Sequence, residues 1–131
     1  MDIEGGRFMV TGGAGFIGAN LVEALLKCGA EQVIIFDNFI RGTMKNVEEV
    51  IKDSRTVCIK DGADLRNLNS IQKACESIDG VFHLASLCLG HCQKKPREGL
   101  DINIMGTYNL LEACLIKGVK RIMFASSSSV Y

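Results

Sequence analysis

The sequence predicts an α/β domain in which a parallel sheet is covered by helices on both faces. Two observations support this: short apolar runs alternate with longer amphipathic stretches, and the apolar runs are continuous. Continuous runs are typical of strands that are buried on both faces, as in a parallel sheet. Strand–helix alternation in turn implies right-handed βαβ units. The length of 131 residues is enough for one compact domain, 1–131, and too short for two.

Five strands and four helices follow from this pattern. The expected strands cover residues 7–11, 32–37, 56–61, 80–84 and 120–126. The expected helices cover residues 16–28, 43–52, 67–77 and 96–117. The first helix places Ile17, Leu21 and Leu25 on one row at i, i+4 spacing, and Gly29 follows it as a C-cap. Doubly wound connection of these units predicts five parallel strands in the order 3-2-1-4-5.

The composition argues against several classes of partner. Fifteen Lys and Arg balance fifteen Asp and Glu, whereas a nucleic-acid-binding protein normally carries a basic surplus. Apolar stretches of about five residues are too short to cross a membrane, and the N-terminus has no basic region followed by an apolar core. None of the six cysteines forms a Cys-x-x-Cys pair. We therefore expect a cytoplasmic chain with reduced thiols that binds neither nucleic acid nor membrane.

A glycine-rich turn follows the first predicted strand. Residues 11–18 read Thr-Gly-Gly-Ala-Gly-Phe-Ile-Gly. Gly12 allows a sharp turn at the strand end, Gly15 lets the backbone approach a pyrophosphate, and Gly18 lets the helix pack closely on the sheet. The helix that opens at Phe16 and Ile17 directs unpaired N–H groups and a partial positive charge towards the phosphates.

An acid at the end of the second predicted strand favours a dinucleotide site over a purely structural glycine turn. Asp37 lies about 20 residues beyond the turn, where a carboxylate accepts hydrogen bonds from the ribose hydroxyls of adenosine. It also repels a 2′-phosphate, which favours NAD over NADP, although Arg41 nearby could pair with that phosphate. A Rossmann-type doubly wound sheet that binds NAD is therefore expected.

Five further segments keep the order and spacing of one known family. They read DNFIRG at 37–42, DGADLR at 61–66, HLAS at 83–86, NIMGT at 103–107 and FASSSSVY at 124–131. With the glycine turn, they resemble the extended short-chain dehydrogenase/reductase family. The resemblance is greatest to its branch of NAD-dependent sugar-nucleotide epimerases and dehydratases, the UDP-galactose 4-epimerase-like enzymes, and it covers the whole chain in register.

The resemblance implies a cofactor site and one catalytic residue. The implied cofactor-binding residues are Gly12, Gly15, Phe16, Ile17, Gly18, Asp37, Asn38, Arg41, Gly42, Asp64, Leu65, Leu84, Ala85, Ser86, Asn103 and Ser126. Of these, Asp64 corresponds to the acid near the adenine, and Asn103 to a residue that supports the active-site backbone. Ser127 corresponds to the catalytic Ser/Thr, whose hydroxyl would form a hydrogen bond with the sugar oxygen being oxidised. The alternative for the four consecutive serines is a flexible polar loop.

The resemblance also implies chemistry for which this chain lacks a residue. The family's base lies in a Tyr-x-x-x-Lys motif, but Tyr108 is followed four residues later by Glu112, and Tyr131 is the last residue. We therefore expect the N-terminal portion of a longer enzyme, inactive by itself, with most of its nucleotide-sugar pocket elsewhere. An unpaired strand edge and uncovered apolar surface would then favour a homo-oligomer.

Several alternatives for the reaction stay open. The expected activity of the parent enzyme is epimerisation, by transient hydride transfer from the sugar to bound NAD. The dehydratase branch usually places acidic residues just after the catalytic Ser/Thr, where this chain has Ser128 and Ser129, and this favours the epimerase. A hydroxysteroid-dehydrogenase-like oxidoreductase and a non-catalytic NAD-binding module are the remaining alternatives.

Two histidine-containing segments are expected to be structural. Cys88, His91 and Cys92 form a Cys-x-x-His-Cys cluster, but no fourth ligand presents itself nearby, so that no metal site is expected. His83 ends an apolar strand and is expected to be packed and hydrogen-bonded rather than to act as a base.

Overall fold

The computed structural model describes residues 2–127 and 130, and within them a five-stranded parallel sheet forms the centre of the fold. The strands are β1 (Arg7–Thr11), β2 (Gln32–Phe36), β3 (Thr56–Ile59), β4 (Gly80–His83) and β5 (Arg121–Phe124). Every neighbouring pair is parallel, and the order is β3-β2-β1-β4-β5. The predicted fold class and strand order are thus confirmed, although four of the strands are shorter than expected.

Helices connect the strands. They are α1 (Phe16–Lys27), α2 (Met44–Val47), α3 (Leu68–Ala74), α4 (Leu89–Lys94), α5 (Pro96–Gly99) and α6 (Gly106–Lys117). The single helix predicted for 43–52 is wrong, because α2 is followed by a separate 3-10 turn, Val50–Lys52. The helix predicted for 96–117 is present as one helical stretch, but its middle, Leu100–Met105, is wound as a π-helix between α5 and α6.

The three central strands, β2, β1 and β4, are buried on both faces as the continuous apolar runs predict, whereas the edge strands β3 and β5 are partly exposed. On β1, Phe8 and Val10 lie in one hydrophobic cluster and Met9 lies in the other. The first cluster is filled mainly from α1, for example by Val22 and Leu25, and the second from α3 and α6. No helix within the described residues is long and apolar enough to cross a bilayer.

Candidate functional site

The glycine-rich turn lies at the carboxyl end of β1, where only glycines fit at two positions. Gly12 has a φ of +70°, and a Cβ atom on it would lie 2.9 Å from the backbone N of Ala85. A Cβ atom on Gly18 would lie 2.2 Å from the carbonyl oxygen of Gly12. Gly18 was expected to let the helix pack on the sheet, whereas the contact it permits is with the backbone of the turn itself.

The first turn of α1 opens from this glycine turn. Its N-cap is Gly15, which offers no side-chain cap, and the first helical bond runs from Ala19 N to the Gly15 carbonyl oxygen at 2.9 Å. The N–H groups of a first helical turn have no acceptor within the helix, so those of Phe16 and Ile17 are available to a ligand. A helix N-terminus of this kind attracts phosphate groups through these donors and through its dipole.

Asp37 joins the glycine turn to the loop that follows β2. Its Oδ2 accepts from the backbone N of Ala14 at 2.9 Å, and its Oδ1 accepts from the backbone N of Phe39 at 2.7 Å. Phe39 has a φ of 58°, a conformation that a large side chain adopts only when its surroundings hold it there. Each carboxylate oxygen keeps a further lone pair, so Asp37 can also accept from ribose hydroxyls.

The loop after β2 is anchored to Ala14. The Ala14 carbonyl oxygen accepts from Thr43 N at 3.2 Å and from Asn46 Nδ2 at 2.8 Å, and Gly42 is so close to Ala14 that a Cβ on it would clash. Sequence reasoning missed Asn46, although its position three residues after a capping threonine is a signal that the side chain lies near a helix start. Asn38 and Arg41 lie exposed on this loop.

The loop Leu84–Leu87, which follows β4, forms the opposite side of the site. Leu84 and Ala85 donate their backbone N–H groups to Thr11 Oγ1, both at 3.2 Å. Asn103 accepts from Leu87 N at 2.7 Å and donates to the Leu87 carbonyl oxygen at 3.0 Å. Asn103 thus holds the backbone of this loop through Leu87.

His83 is packed and hydrogen-bonded, as expected from the sequence. It is 2% exposed and lies between Thr11 and Thr107, with Nδ1 2.7 Å from Thr11 Oγ1 and Nε2 2.9 Å from Thr107 Oγ1. Burial lowers its pKa to about 4. The imidazole is therefore neutral at physiological pH.

Asp64 and Leu65, for which the resemblance implies a position near the adenine, are held by contacts within the protein. Asp64 is paired with Arg66, whose Nη2 lies 2.6 Å from Oδ2, and this hydrogen bond lowers the pKa of the carboxyl group. The Leu65 side chain is buried against Gly106, while its carbonyl oxygen accepts from Asn109 Nδ2 at 2.9 Å. Leu65 therefore has only its backbone left for a cofactor contact.

The predicted serines follow β5. Ser126 and Ser127 are exposed beyond the carboxyl end of the strand, on the same edge of the sheet as Thr11 and His83. Ser128, Ser129 and Tyr131 lie outside the described residues. Ser86, the remaining predicted residue, is exposed in the loop after β4.

The Cys-x-x-His-Cys cluster does not converge. His91 Nε2 lies 2.7 Å from Glu98 Oε2, whereas Cys92 Sγ faces the Leu87 carbonyl oxygen at 3.6 Å. Backbone N–H groups, that of His91 first, lower the pKa of the exposed Cys88 thiol. Within residues 2–127 and 130, no three His, Cys, Asp or Glu side chains are grouped so that they could hold a metal ion.

Two cavities lie away from the glycine turn. The larger, of about 460 Å³, is an open groove between α1 and the segment that contains α2, with Asn20, Asn46, Glu49 and Arg55 in its lining. The smaller, of about 220 Å³, is apolar and is lined by His83, Leu110 and Phe124 among others.

These features define a Rossmann-type α/β domain, with a glycine turn on β1 and a second loop on β4 where the strand order reverses. The sequence profile described as the NAD dependent epimerase/dehydratase family matches residues 8–131. The chain belongs to this family.

Similar proteins include both curated sequences and solved structures. A UDP-N-acetyl-alpha-D-glucosaminuronate decarboxylase from Bacillus cytotoxicus is 40% identical over 126 residues, which are 95% of this chain and 37% of that protein. UDP-N-acetylglucosamine 4-epimerase from Methanobrevibacter ruminantium is 33% identical with a TM-score of 0.87, over 98% of this chain and 40% of that one. UDP-glucose-4-epimerase from Stenotrophomonas maltophila, solved with bound NAD, is 33% identical with a TM-score of 0.85, and the match covers 95% of this chain and 38% of that one. The chain thus spans less than half the length of each.

Proposed function

We propose that this chain binds NAD at the carboxyl edge of its sheet and forms the cofactor-binding part of a nucleotide-sugar epimerase. The observation that carries the proposal is the first turn of α1, which has no side-chain cap and follows a turn where Gly12 and Gly18 leave no room for a Cβ atom. Asp37 stands beside that turn, hydrogen-bonded to Ala14. Solved neighbours of the same family hold NAD, which supports the choice of dinucleotide.

The positions of the residues support the following roles. The pyrophosphate would lie against Gly15 and the N–H groups of Phe16 and Ile17, while the Asp37 carboxylate would accept from the adenosine ribose. Asp37 is 8% exposed, and its two hydrogen bonds to backbone N–H groups fix the orientation of its carboxylate. A 2′-phosphate beside it would therefore be repelled by a negative charge that cannot move aside. NAD is therefore favoured over NADP. The remaining contacts are assigned to Asn38, Arg41, Gly42, Asp64, the Leu65 backbone, Leu84, Ala85, Ser86, Asn103 and Ser126.

For the protein that uses this chain we propose transient oxidation of the sugar, with epimerisation as the outcome. NAD, when bound, accepts a hydride from the sugar and returns it. Ser127 lies exposed at the same edge of the sheet and would hydrogen-bond the sugar oxygen from which the proton leaves. Serines at 128 and 129, where the dehydratase branch carries acids, favour epimerisation over dehydration.

A second candidate outcome is decarboxylation. The 40% identical relative from Bacillus cytotoxicus is a decarboxylase of a UDP-linked uronate, and it matches 95% of this chain. Both outcomes use the same NAD-binding part, so they differ in the substrate and not in the residues described above. Assay of the longer protein with UDP-glucose and with a UDP-linked uronate separates them: epimerisation leaves net NADH unchanged, and decarboxylation releases CO₂.

We also propose that the chain self-associates through α6 and the π-helical segment. Ile104, Tyr108, Leu111 and Leu115 are exposed at spacings of four, three and four residues, which places them in one stripe. A stripe with this spacing is typical of the seam between two packed helices. Sedimentation velocity should show a dimer or larger species that Leu111→Glu together with Leu115→Glu converts to a monomer.

The test of the proposed cofactor site is calorimetric titration with NAD. Gly15→Asp places a carboxylate where the pyrophosphate would lie and should abolish binding. Gly90→Asp adds the same charge at an exposed glycine with no atom within 4 Å of the new Cβ, and it serves as the matched control. Equal binding by Gly15→Asp and the unsubstituted chain would contradict the site, and absence of binding by the latter would contradict the function.

A further inference from the structure

The loop Leu84–Leu87 is one wall of the proposed cofactor site, and it touches the glycine turn directly. A Cβ atom on Gly12 would lie 2.9 Å from Ala85 N and 3.0 Å from Ala85 Cα, so the two backbones are already in contact. Any displacement of this loop therefore changes the space beside the turn. Leu84 and Ala85 lie beyond the end of β4, so contacts outside that strand must fix the loop.

Both ends of the loop are held by side chains from elsewhere in the fold. Thr11 Oγ1 accepts from the backbone N–H groups of Leu84 and Ala85. The Leu84 N–H also donates to the Thr11 carbonyl oxygen. At the other end, the Asn103 amide pairs with both the N–H and the carbonyl group of Leu87. Asn103 lies in the π-helical segment, and such segments often occur at functional sites.

A series of hydrogen bonds through buried and half-buried side chains runs from Thr11 to the backbone of Asn103. Thr11 Oγ1 lies 2.7 Å from His83 Nδ1, and His83 Nε2 lies 2.9 Å from Thr107 Oγ1. The Thr107 hydroxyl in turn donates to the Asn103 carbonyl oxygen at 2.8 Å. Thr11 and His83 are buried, so that an unmade hydrogen bond here would not be replaced by water.

Among the residues that the structure describes, one arrangement of protons satisfies every group in this series of hydrogen bonds. Two backbone N–H groups, one of them shared with the Thr11 carbonyl oxygen, donate to Thr11 Oγ1, and this leaves His83 Nδ1 as the acceptor for the Thr11 hydroxyl proton. His83 must then carry its proton on Nε2 and donate it to Thr107, which leaves the Thr107 hydroxyl to donate to Asn103. In the opposite tautomer the Thr11 hydroxyl proton has no acceptor among the described residues, and the hydrogen bond from the Thr107 hydroxyl to the Asn103 backbone carbonyl oxygen is lost.

We propose that His83 is a positioning residue for NAD binding: as the Nε2–H tautomer, it joins Thr11 to Thr107 and so fixes the Leu84–Leu87 loop beside the glycine turn. This inference rests on the proposed NAD site and adds a role for three residues, Thr11, His83 and Thr107, that do not themselves meet the cofactor. These residues are distant in the sequence: Thr11 and His83 are 72 residues apart, and His83 and Thr107 are 24 apart.

The first test reads the tautomer directly. Long-range ¹H–¹⁵N correlation spectra of the ¹⁵N-labelled chain show which ring nitrogen carries the proton, and His91, the second of the two histidines, gives a comparison signal. We expect His83 to be protonated on Nε2 and unprotonated on Nδ1 at pH 7. A proton on Nδ1, in either the neutral or the charged ring, would overturn the inference.

The second test removes the hydrogen bond between His83 and Thr107 and measures NAD binding. Thr107→Val removes the acceptor for His83 Nε2–H at nearly constant volume, and we expect the Kd for NAD to rise about tenfold. Thr107→Ser restores the hydroxyl and should return the Kd to within about twofold of the original. Thr56→Val is the matched control, since the buried Thr56 hydroxyl has no hydrogen-bond partner within the described part of the chain.

The outcomes separate this inference from the proposed function. An unchanged Kd for Thr107→Val, in a chain that does bind NAD, would overturn the positioning role alone. A similar rise in Kd for Thr56→Val would also overturn it, because the effect would then be one of general destabilisation. Failure of the unsubstituted chain to bind NAD would overturn the proposed function, and this inference with it.

Discussion

Two glycines of the same turn should fail in different ways when each is replaced by alanine. At Gly18 the new Cβ would lie 2.2 Å from the Gly12 carbonyl oxygen and 2.7 Å from Gly13 Cα, and both are backbone atoms that cannot rotate away. Overpacking costs about 1–3 kcal/mol, and alanine in a helix regains about 1 kcal/mol. Because the overlap is severe, we take the upper end and expect a net loss of about 2 kcal/mol of unfolding free energy.

At Gly15 the same substitution should leave the fold nearly intact. The residue has φ −72° and ψ 169°, which any amino acid adopts, and the nearest atom to a new Cβ is the Gly12 carbonyl oxygen at 3.2 Å. The expected cost is that of a poorer N-cap, about 0.5–1 kcal/mol. NAD binding, however, should be lost, because the methyl group would occupy the space in which the pyrophosphate approaches the backbone.

Urea unfolding and calorimetry on the same two variants test this pair. Gly18→Ala should lower the midpoint of unfolding clearly, and for a chain of 131 residues a loss of about 2 kcal/mol corresponds to a melting temperature roughly 6–10 °C lower. Gly15→Ala should melt within a few degrees of the original, at roughly 2–5 °C lower, and bind no NAD. Equal stability of Gly18→Ala and the unsubstituted chain, or undiminished NAD binding by Gly15→Ala, would refute this reasoning.

Three further predictions concern charge and association. Because burial lowers the pKa of His83 from 6.5 to about 4, the unfolded chain takes up that proton first as the pH falls; stability should therefore be fully present above pH 6.5 and should decrease between pH 6.5 and 4. The expected loss is about 2 kcal/mol from pH 7 to 5, measured by urea unfolding, and His83→Asn should reduce that slope. Asp37→Asn leaves one oxygen for the N–H groups of Ala14 and Phe39, so it should cost about 1–3 kcal/mol of stability and lower the preference for NAD over NADP in calorimetric titrations. Leu111→Glu with Leu115→Glu should abolish self-association in sedimentation velocity, and unchanged sedimentation would show that this stripe is not the contact.

The sheet could be predicted from the sequence because each strand carries its own signal. Apolar runs such as that of β1 are buried on both faces, and their alternation with amphipathic stretches indicates parallel strands connected by helices. The glycine turn and Asp37 could likewise be recognised from local residue types. The hydrogen bond from Ala14 N to Asp37 Oδ2 joins these two features directly.

The features that escaped prediction depend on contacts between distant residues. The expected helix at 43–52 is divided, and in its first part Asn46 donates its side-chain amide to Ala14, 32 residues earlier. The π-helical segment contains Asn103, whose amide is paired with Leu87, and helical periodicity cannot distinguish a π-helix from an α-helix over six residues. The connection of His83 to Thr11 and Thr107 has no sequence signature at all.

A titration of the ¹⁵N-labelled chain with NAD, followed through its backbone amide signals, tests the central claim most directly. If the cofactor lies at the carboxyl edge of the sheet, the amide signals of Phe16, Ile17 and Ala85 should shift together with one Kd. The groove of about 460 Å³ beside α1 offers the competing location. Shifts confined to Asn46, Glu49 and Arg55, with those of Phe16 and Ile17 unmoved, would contradict the proposed site.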